Sequence, residues 1–341
     1  MKAIVMAGGE GTRLRPVTGE HPKPLVPLLG RPMMEHILLL LRENGFTEVC
    51  AAVRYRAEEI RQRFGDGSEL GISLCYREET RPLGTAGAVK NCADFYGNED
   101  VLVISGDAAC DFDLRSLMEA HRRRKAAATL ALFRHPEPLQ YGLAVQDESG
   151  LIRAFVEKPP WERVVTDLVN TGIYVFSPRA MEPVPEDTPF DFAGDLFPLL
   201  LGRGEPLLGV DMPGYWCDVG TPSSYYQCCL DALSGKLKLD LPADFRPART
   251  PTPEASPGEH DAELDCPCAG RAELMGRLSR MMLEMDADYS DGLRLEGPGY
   301  RLRVSPAAER SLLHVAVDAR DAEFASRLAL SMGDLIRALE G

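Results

Sequence analysis

A glycine-rich loop follows the first apolar segment of the chain. Glycines let a backbone turn sharply and approach a ligand closely, so that N–H groups can point at phosphate oxygens. A threonine hydroxyl and the forked guanidinium of an arginine, both suited to phosphate, complete the loop. A tight strand–helix turn without a ligand is the alternative. We predict nucleotide contacts at Ala7, Gly8, Gly9, Gly11, Thr12 and Arg13.

The loop differs from two common nucleotide-binding patterns. It is not a P-loop, because no Gly-Lys-Ser/Thr follows at the required spacing. It is not a dinucleotide fingerprint either, because Leu14 stands where GxGxxG has its third glycine. Further along, Pro22 and Pro24 restrict the backbone on both sides of Lys23 and would aim its ammonium at the same phosphates. A lysine on a rigid surface turn is the alternative.

Two aspartates have the chemistry of magnesium ligands. Asp107 follows the apolar segment VLVIS, and Asp218 lies in WCDVG. Mg²⁺ prefers hard oxygen ligands and shares its coordination shell with substrate phosphates. We therefore predict a Mg²⁺ site at these two residues, with helix capping or turn formation as the alternative.

Further segments carry groups suited to a base or a sugar. Small residues around Gly84 and Thr85 would let a flat base lie against the backbone, although Thr85 alternatively caps a helix. Glu157-Lys158 offers a carboxylate for sugar hydroxyls and a cation for a sugar phosphate, with a surface ion pair as the alternative. Asn170-Thr171 offers an amide and a hydroxyl, with a simple turn as the alternative.

These residues must be positioned by alternating strands and helices. Such alternation predicts a mostly parallel sheet with helices on both faces, in which ligands bind at the carboxyl ends of the strands. Gly8 and Asp107 each follow a predicted strand directly, so both belong at that edge. Strands are predicted at 2–6, 48–53, 72–76 and 101–105, and helices at 32–43, 57–64, 85–92 and 114–124.

The pattern changes in the second half of the chain. Strands predicted at 128–133, 143–147, 152–157 and 171–176 indicate an antiparallel extension that forms a wall of a sugar pocket. A Pro-, Ala-, Thr- and Glu-rich stretch predicts a linker. A helix at 272–284, strands at 293–296, 300–304 and 312–317, and a helix at 322–339 follow. The expected organisation is a catalytic domain at 1–240, a linker at 241–262 and a small α+β domain at 263–341.

Composition narrows the class of protein. A net charge of −14 argues against a general nucleic-acid binder, although a few local cations can still hold a triphosphate. No apolar segment reaches the ~18 residues of a membrane span, and no secretory signal is visible. Nine irregularly spaced cysteines indicate cytosolic thiols rather than disulfides or a zinc site. We expect a cytoplasmic protein without nucleic-acid or membrane partners.

Seven segments in order resemble the sugar-1-phosphate nucleotidylyltransferase family over roughly residues 1–235, with the greatest similarity to bacterial mannose-1-phosphate guanylyltransferases. The resemblance implies a Rossmann-like sheet and transfer of a nucleoside monophosphate from an NTP to a hexose 1-phosphate, with GTP and mannose 1-phosphate favoured. UTP or dTTP with glucose 1-phosphate is the alternative, and a non-catalytic nucleotide-sugar-binding regulatory subunit is another. The segments are GGEGTRLRP, PKPLVP, PLGTAGAVKN, ISGD, VEKP, VNTGIYVF and YWCDVG.

The resemblance also implies residue roles. The loop glycines, Arg13 and Lys23 would hold the triphosphate, and Gly84 with its neighbours would meet the base. Asp107 and Asp218 would bind the catalytic Mg²⁺. Arg81, just before PLGTAG, departs from the family's pattern and bears on the base preference. On the sugar side, the implied contacts are Gly142, Glu157 and Asn170 for the sugar and Lys158 for its phosphate.

The tail has a second resemblance. Residues 291–328 resemble the C-terminal domain of phosphomannomutases and phosphoglucomutases, whose RPSGTEP-like loop grips a sugar phosphate. Here residues 303–309 read RVSPAAE and lack the glycine and threonine. We therefore expect no mutase activity and interpret the tail as a remnant that serves packing, regulation or dimerisation, which would make the protein a homo-oligomer.

Overall fold

The computed structural model describes residues 1–14, 21–135, 138–158, 164–241, 260–267, 275, 287–288, 293–297, 299–306 and 312–340. The chain divides into two compact units, which are described separately. The first unit comprises residues 1–10 and 37–216, and the second comprises 11–36 and 217–341. In this division residues 11–36 group with residues 217–341, whereas the prediction gave a catalytic domain at 1–240, a linker at 241–262 and a small domain at 263–341.

The secondary structure follows the order expected from the sequence. The described strands are β1 (Lys2–Ala7), β2 (Pro27–Leu28), β3 (Arg31–Pro32), β4 (Glu48–Val53), β5 (Ser73–Glu78), β6 (Val101–Ser105), β7 (Ala108–Cys110), β8 (Ala128–Arg134), β9 (Gly142–Gln146), β10 (Ile152–Glu157), β11 (Leu168–Phe176), β12 (Leu207–Asp211), β13 (Trp216–Asp218), β14 (His260–Pro267), β15 (Ala287–Asp288), β16 (Leu293–Gly297), β17 (Tyr300–Pro306) and β18 (Leu312–Ala319). The described α-helices are α1 (Met33–Glu43), α2 (Ala57–Phe64), α3 (Gly84–Lys90), α4 (Ala93–Tyr96), α5 (Leu114–Arg124), α6 (Pro178–Met181), α7 (Phe197–Gly202), α8 (Pro222–Leu233) and α9 (Ala322–Glu340).

A mixed nine-stranded sheet forms the centre of the first unit. Seven of its strands follow the order β10-β9-β11-β6-β1-β4-β5. Strand β8 also pairs with β11, and β12 pairs with β8. The pairs β1–β4, β1–β6, β4–β5 and β8–β12 are parallel, whereas β11 pairs antiparallel with β6, β8 and β9. The predicted Rossmann-like mixed sheet and its antiparallel extension are both confirmed.

The central strands are long apolar segments because both of their faces are covered. Ala3, Ile4 and Val5 of β1 have no solvent exposure, and the same holds for β6 from Leu102 to Ile104. Helix α5 begins at a carboxylate cap, since Asp113 accepts a hydrogen bond of 3.0 Å from the Ser116 N–H. Its last turn carries Arg122, Arg123 and Arg124, whose charges interact favourably with the helix dipole.

Some element boundaries differ from the prediction. The strand expected at 171–176 begins at Leu168, and the helix expected at 85–92 spans Gly84–Lys90. Strand β12 was not predicted, because its short LLGVD segment contains a glycine and has no clear alternation. Its parallel pairing with β8 makes it a strand.

The second unit contains a five-stranded antiparallel sheet with the order β14-β18-β17-β16-β15. Its apolar side chains alternate along β17, where Leu302 and Val304 are buried while Arg301 and Arg303 are exposed. Strand β14 was missed and begins inside the predicted linker, because its mixed segment HDAELDCP becomes a strand only through pairing with β18. The helix predicted at 272–284 lies outside the described residues, apart from residue 275. The small α+β C-terminal architecture is otherwise as expected.

Among the described residues, no helix is both long and apolar enough to span a membrane. Every described cysteine is a free thiol, which agrees with the expectation of no disulfide framework, while Cys268 lies outside the described residues.

Candidate functional site

Three parallel strands of the first unit end at the same edge of the sheet. Ala7 of β1 is in register with Val53 of β4, and Val53 is in register with Glu78 of β5. The next residue of each strand therefore lies at this edge, and these residues are Gly8, Arg54 and Glu79.

Glu79 places a carboxylate directly beside the glycine loop. Its side chain is only 8% exposed, and a Cβ built on Gly8 would lie 2.8 Å from its Oε1. Its Oε2 accepts a hydrogen bond of 3.1 Å from the Leu83 N–H. Burial raises the pKa of Glu79, and the Leu83 N–H and the charge of Arg54 oppose this effect. The sequence interpretation gave this residue no role, because the predicted strand ended at residue 76 and only the structure extends it to Glu78.

Asp107 lies at the same edge of the first unit. Strands β1 and β6 are adjacent and parallel, and the Gly106 N–H donates to the Met6 carbonyl at 2.9 Å. A Cβ on Gly106 would lie 2.7 Å from that carbonyl oxygen, so only glycine permits this approach. The half-buried Asp107 carboxylate accepts a hydrogen bond from the Ser105 hydroxyl. The expected placement of Gly8 and Asp107 at one edge is confirmed.

The predicted base-binding segment opens helix α3. Gly84 has a φ of +69°, and a Cβ there would lie 2.7 Å from the Phe190 carbonyl oxygen. Asp191 Oδ1 accepts hydrogen bonds from both the N–H and the hydroxyl of Thr85, at 3.0 and 3.1 Å. The Thr85 hydroxyl in turn accepts from the Phe192 N–H at 2.9 Å. The alternative that Thr85 caps the helix was therefore wrong. Asp191, from a distant part of the chain, accepts the hydrogen bond from the Thr85 N–H in the first turn of α3.

The antiparallel extension gathers most of the predicted sugar-binding residues. Glu157 of β10 stands opposite Gly142 of β9 in the ladder, and β9 also pairs with β11, next to Asn170. The Lys158 N–H donates to the Tyr141 carbonyl at 3.2 Å, and the Lys158 side chain is exposed. The Asn170 amide oxygen accepts from the Gly172 N–H at 3.3 Å, as a turn-forming asparagine does.

Thr171 has a different role from the predicted one. Its side chain is 3% exposed, and its hydroxyl donates to the Ala131 carbonyl at 2.7 Å. This hydroxyl bonds β11 to β8 where their register shifts, and a contact of Thr171 with a sugar stays a prediction. The Thr171 carbonyl accepts a hydrogen bond of 3.1 Å from the Trp216 indole.

An aromatic cluster that the sequence did not indicate stands beside these residues. The ring of Tyr141 lies 5.3 Å from Trp216 and 4.9 Å from His135, measured between centroids. His135 and Tyr141 are half-buried. Because Tyr141 immediately precedes Gly142, the cluster supplies an apolar wall next to the predicted sugar-binding backbone.

The second unit contains the remaining predicted catalytic residues. A Cβ built on Gly220 would lie 3.1 Å both from a guanidinium nitrogen of Arg13 and from Oδ2 of Asp218, so these two groups are neighbours. A Cβ on Gly11 would lie 2.9 Å from the Cβ of Lys23, which is only 7% exposed. Within the second unit, Gly11 therefore lies next to Lys23, and Arg13 lies near Asp218.

The donor chemistry of the two aspartates fits Mg²⁺. Both offer half-buried carboxylate oxygens, and Mg²⁺ is usually held by one or two carboxylates together with substrate phosphates. Among the described residues, no group of three or more His, Cys, Asp or Glu side chains is arranged to hold a metal. Asp107 and Asp218 belong to different units, so their sharing of one ion stays a prediction.

Known proteins resemble this chain over its first two thirds. The family model described as nucleotidyl transferase matches residues 2–235. A UTP–glucose-1-phosphate uridylyltransferase of Synechocystis is 38% identical over 70% of this chain and 65% of its own length. A mannose-1-phosphate guanylyltransferase of Mycobacterium tuberculosis is 36% identical over 68% of this chain and 65% of its own length. The chain thus spans slightly less than two thirds of these curated relatives.

Solved structures give the same likeness. HddC from Yersinia pseudotuberculosis, complexed with GMP-PN, matches with a TM-score of 0.59 and 27% identity, covering 67% of this chain and 98% of that one. A Bacillus anthracis structure described as a glucose-1-phosphate thymidylyltransferase in complex with sucrose matches with a TM-score of 0.62 and 29% identity, covering 68% and 95%.

Proposed function

The chain belongs to the nucleotidyl transferase family, and from this premise we propose that it transfers a nucleoside monophosphate from an NTP to a hexose 1-phosphate. The products are an NDP-sugar and pyrophosphate. The observation that carries the proposal is the meeting of the glycine loop and Asp107 at one edge of the parallel sheet. Backbone N–H groups suited to phosphate and a carboxylate suited to a phosphate-bound cation are both required for this reaction.

The proposed mechanism needs no general base. The attacking oxygen already belongs to the sugar phosphate and is largely anionic at neutral pH. The protein must instead hold two polyanions for an in-line displacement at the α-phosphorus. Positioning of this kind contributes on the order of 7–11 kcal/mol in ideal cases.

Cations of this chain would offset the repulsion between the substrates. Arg13 and Lys23 are placed on the segment that follows the glycine loop and would contact the triphosphate, while Lys158 would contact the sugar phosphate. Asp107 and Asp218 would hold Mg²⁺, which when bound supplies further charge neutralisation at the phosphates.

GTP is the proposed nucleotide, and Glu79 supports this choice. Guanine presents adjacent N1–H and N2–H donors, whereas uracil and thymine present one N–H between two carbonyl acceptors. A buried carboxylate beside the loop accepts from a donor pair and repels carbonyl oxygens. Arg81, which departs from the family's pattern, is exposed. Its guanidinium donates a hydrogen bond to the Asp187 carbonyl, and we assign it no part in the choice of GTP.

Mannose 1-phosphate is the proposed sugar substrate, on the names of several relatives, including the guanylyltransferase of Mycobacterium tuberculosis. UTP with glucose 1-phosphate is a second candidate, favoured by the 38% identity to the Synechocystis uridylyltransferase. We also propose a cytoplasmic location, which the free thiols support.

A coupled pyrophosphate-release assay over the common NTPs and hexose 1-phosphates tests the reaction and its specificity together. We expect turnover by the wild-type protein and a loss of at least ~100-fold in kcat for Asp107→Asn with the fold retained, since one oxyanion-type stabilising group contributes on this scale. The control is Asp113→Asn, a substitution at the cap of helix α5. Asparagine retains a side-chain oxygen that can cap the helix, and the position carries no predicted site residue. No turnover with any substrate pair would favour the non-catalytic regulatory subunit.

A further inference from the structure

The second unit joins catalytic and C-terminal parts of the chain. It contains the segment 11–36, here called the triphosphate segment, which carries Arg13 and Lys23. It also contains Asp218, helix α8 and the five-stranded sheet with helix α9. The C-terminal residues are therefore packed in one body with groups that the proposed reaction needs.

Two side chains fasten strand β2 of the triphosphate segment. Tyr225 of helix α8 is fully buried, and its hydroxyl donates to the Pro27 carbonyl. The ring nitrogen Nε2 of His36 lies 2.7 Å from the Leu28 carbonyl oxygen. The Val26 N–H, directly before β2, donates to the Lys23 carbonyl at 3.1 Å, so these bonds hold the part of the segment that carries Lys23.

Helix α8 is itself held by the C-terminal domain. Cys229 of α8 lies beside Ser331 of α9, which is buried, and the Asp334 carboxylate lies near Tyr225 and Cys229. Helix α9 contacts both α8 and β2.

Helix α9 has little freedom to move away from its sheet. A Cβ built on Gly333 would lie 2.5 Å from a methyl carbon of Leu264 in β14, so the helix backbone approaches the sheet closely at this point. Its apolar residues Leu328, Met332 and Leu335 are buried. A closely packed helix of this kind transmits a displacement rather than absorbing it.

We propose that the C-terminal domain is a scaffold for the triphosphate segment, and that Tyr225 is the positioning residue that connects them. The chain of contacts runs from the C-terminal sheet through α9 to α8, and from Tyr225 to β2. This inference rests on the proposed function, because it assigns the triphosphate to Arg13 and Lys23. It gives the tail a function in NTP binding without any chemistry of its own.

Tyr225→Phe in the full chain tests the connection. The substitution keeps the ring and removes the hydrogen bond to Pro27, and Tyr226→Phe is the matched control on the same helix. We expect the Kd for GTP and the KM for GTP to rise about three- to tenfold in Tyr225→Phe, the factor for one lost hydrogen bond. The KM for the sugar phosphate should stay unchanged, because its predicted contacts lie in the first unit. A defect in folding alone would lower kcat through the active fraction and leave both KM values unchanged.

A second pair of variants tests the C-terminal domain itself. Ser331→Leu enlarges the buried contact between α9 and α8, whereas Ser326→Leu changes an exposed position of the same helix. We expect the Kd for GTP, measured by isothermal titration, to rise at least about threefold in Ser331→Leu and to stay constant in Ser326→Leu.

The outcomes separate the two proposals. If the wild-type protein binds none of the common NTPs, the proposed function is refuted and this inference falls with it. If the wild-type protein binds and turns over an NTP but Tyr225→Phe and Ser331→Leu keep its Kd, the scaffold role alone is overturned. An equal rise of Kd in Tyr226→Phe would also overturn it, because the effect would then not pass through β2.

Discussion

Glu79→Gln should change the base preference while leaving the fold intact. The carboxylate has one oxygen bonded to the Leu83 N–H at 3.1 Å and the other directed to the glycine loop. Glutamine keeps an acceptor for Leu83 but turns the other position into a donor, which would face the donor pair of guanine. Hydrogen bonds to a charged group contribute about 1.5–3 kcal/mol, so kcat/KM for GTP should fall by roughly 10- to 150-fold. For UTP, whose carbonyl oxygens an amide can satisfy, kcat/KM should hold or rise.

The assay is pyrophosphate release with GTP and UTP at limiting concentrations, in the wild-type protein, Glu79→Gln and Glu78→Gln. Glu78 is the matched control, because it is the preceding residue, is exposed, and pairs with Arg61 at 2.8 Å. An equal fall for GTP and UTP, or no change for GTP, would refute the role of Glu79 in reading the base.

The pH dependence offers an independent test of the same carboxylate. Burial raises the pKa of Glu79 above the ordinary value for glutamate. The ionised form is therefore lost at a higher pH than for an exposed glutamate, and kcat/KM for GTP should decline on the acid side as pH falls through this raised pKa. Folding linkage has the opposite sign, because ionisation of a carboxyl with a raised pKa costs stability as pH rises. Glu79→Gln should remove the acid decline, and its persistence would assign the decline to another group.

Three further substitutions and one control test the geometry by urea denaturation. Gly106→Ala forces a Cβ to 2.7 Å from the carbonyl of the neighbouring strand and should cost about 1–3 kcal/mol, whereas Gly194→Ala, with open space around its Cβ, should cost almost nothing. Asp191→Ala removes the acceptor for the first turn of α3 and should cost about 1 kcal/mol; an unchanged midpoint would contradict the capping role. Burial lowers the pKa of His36 from 6.5 to about 4, so stability should fall as pH drops from 6.5 towards 4 by up to about 3 kcal/mol. His36→Gln should lose this part of the pH dependence, and an identical pH profile would disprove it.

Sequence patterns predicted most of the first unit because its signals are local. Strands β4 and β6 and helices α2 and α5 have the predicted bounds, since apolar periodicity and end signals lie within each segment. Strands β12 and β14 were missed because pairing with a distant strand, not their own pattern, makes them strands.

The candidate site also has parts that the sequence predicted and parts that it did not. Placement of Gly8 and Asp107 at one edge followed from the rule that parallel strands carry ligands at their carboxyl ends, and the structure confirms it. The residue type of Thr171 does not show that its hydroxyl is buried and bonded to the Ala131 carbonyl, and its contact with the sugar stays a prediction. Glu79 and Asp191 were overlooked because each acts on a partner distant in sequence or on a backbone group.

The sequence by itself indicated the family, and it predicted a phosphate-binding role for the glycine loop and a metal-binding role for the two aspartates, because residue type and order along the chain carry that information. Tertiary structure alone decided that a buried carboxylate, Glu79, lies beside the loop, and that an aromatic wall adjoins Gly142. It also decided that the tail packs in one unit with the segment of Arg13 and Lys23. The physical reason is that burial, and the pKa shift that it causes, depend on which distant segments pack together, and no local pattern encodes that.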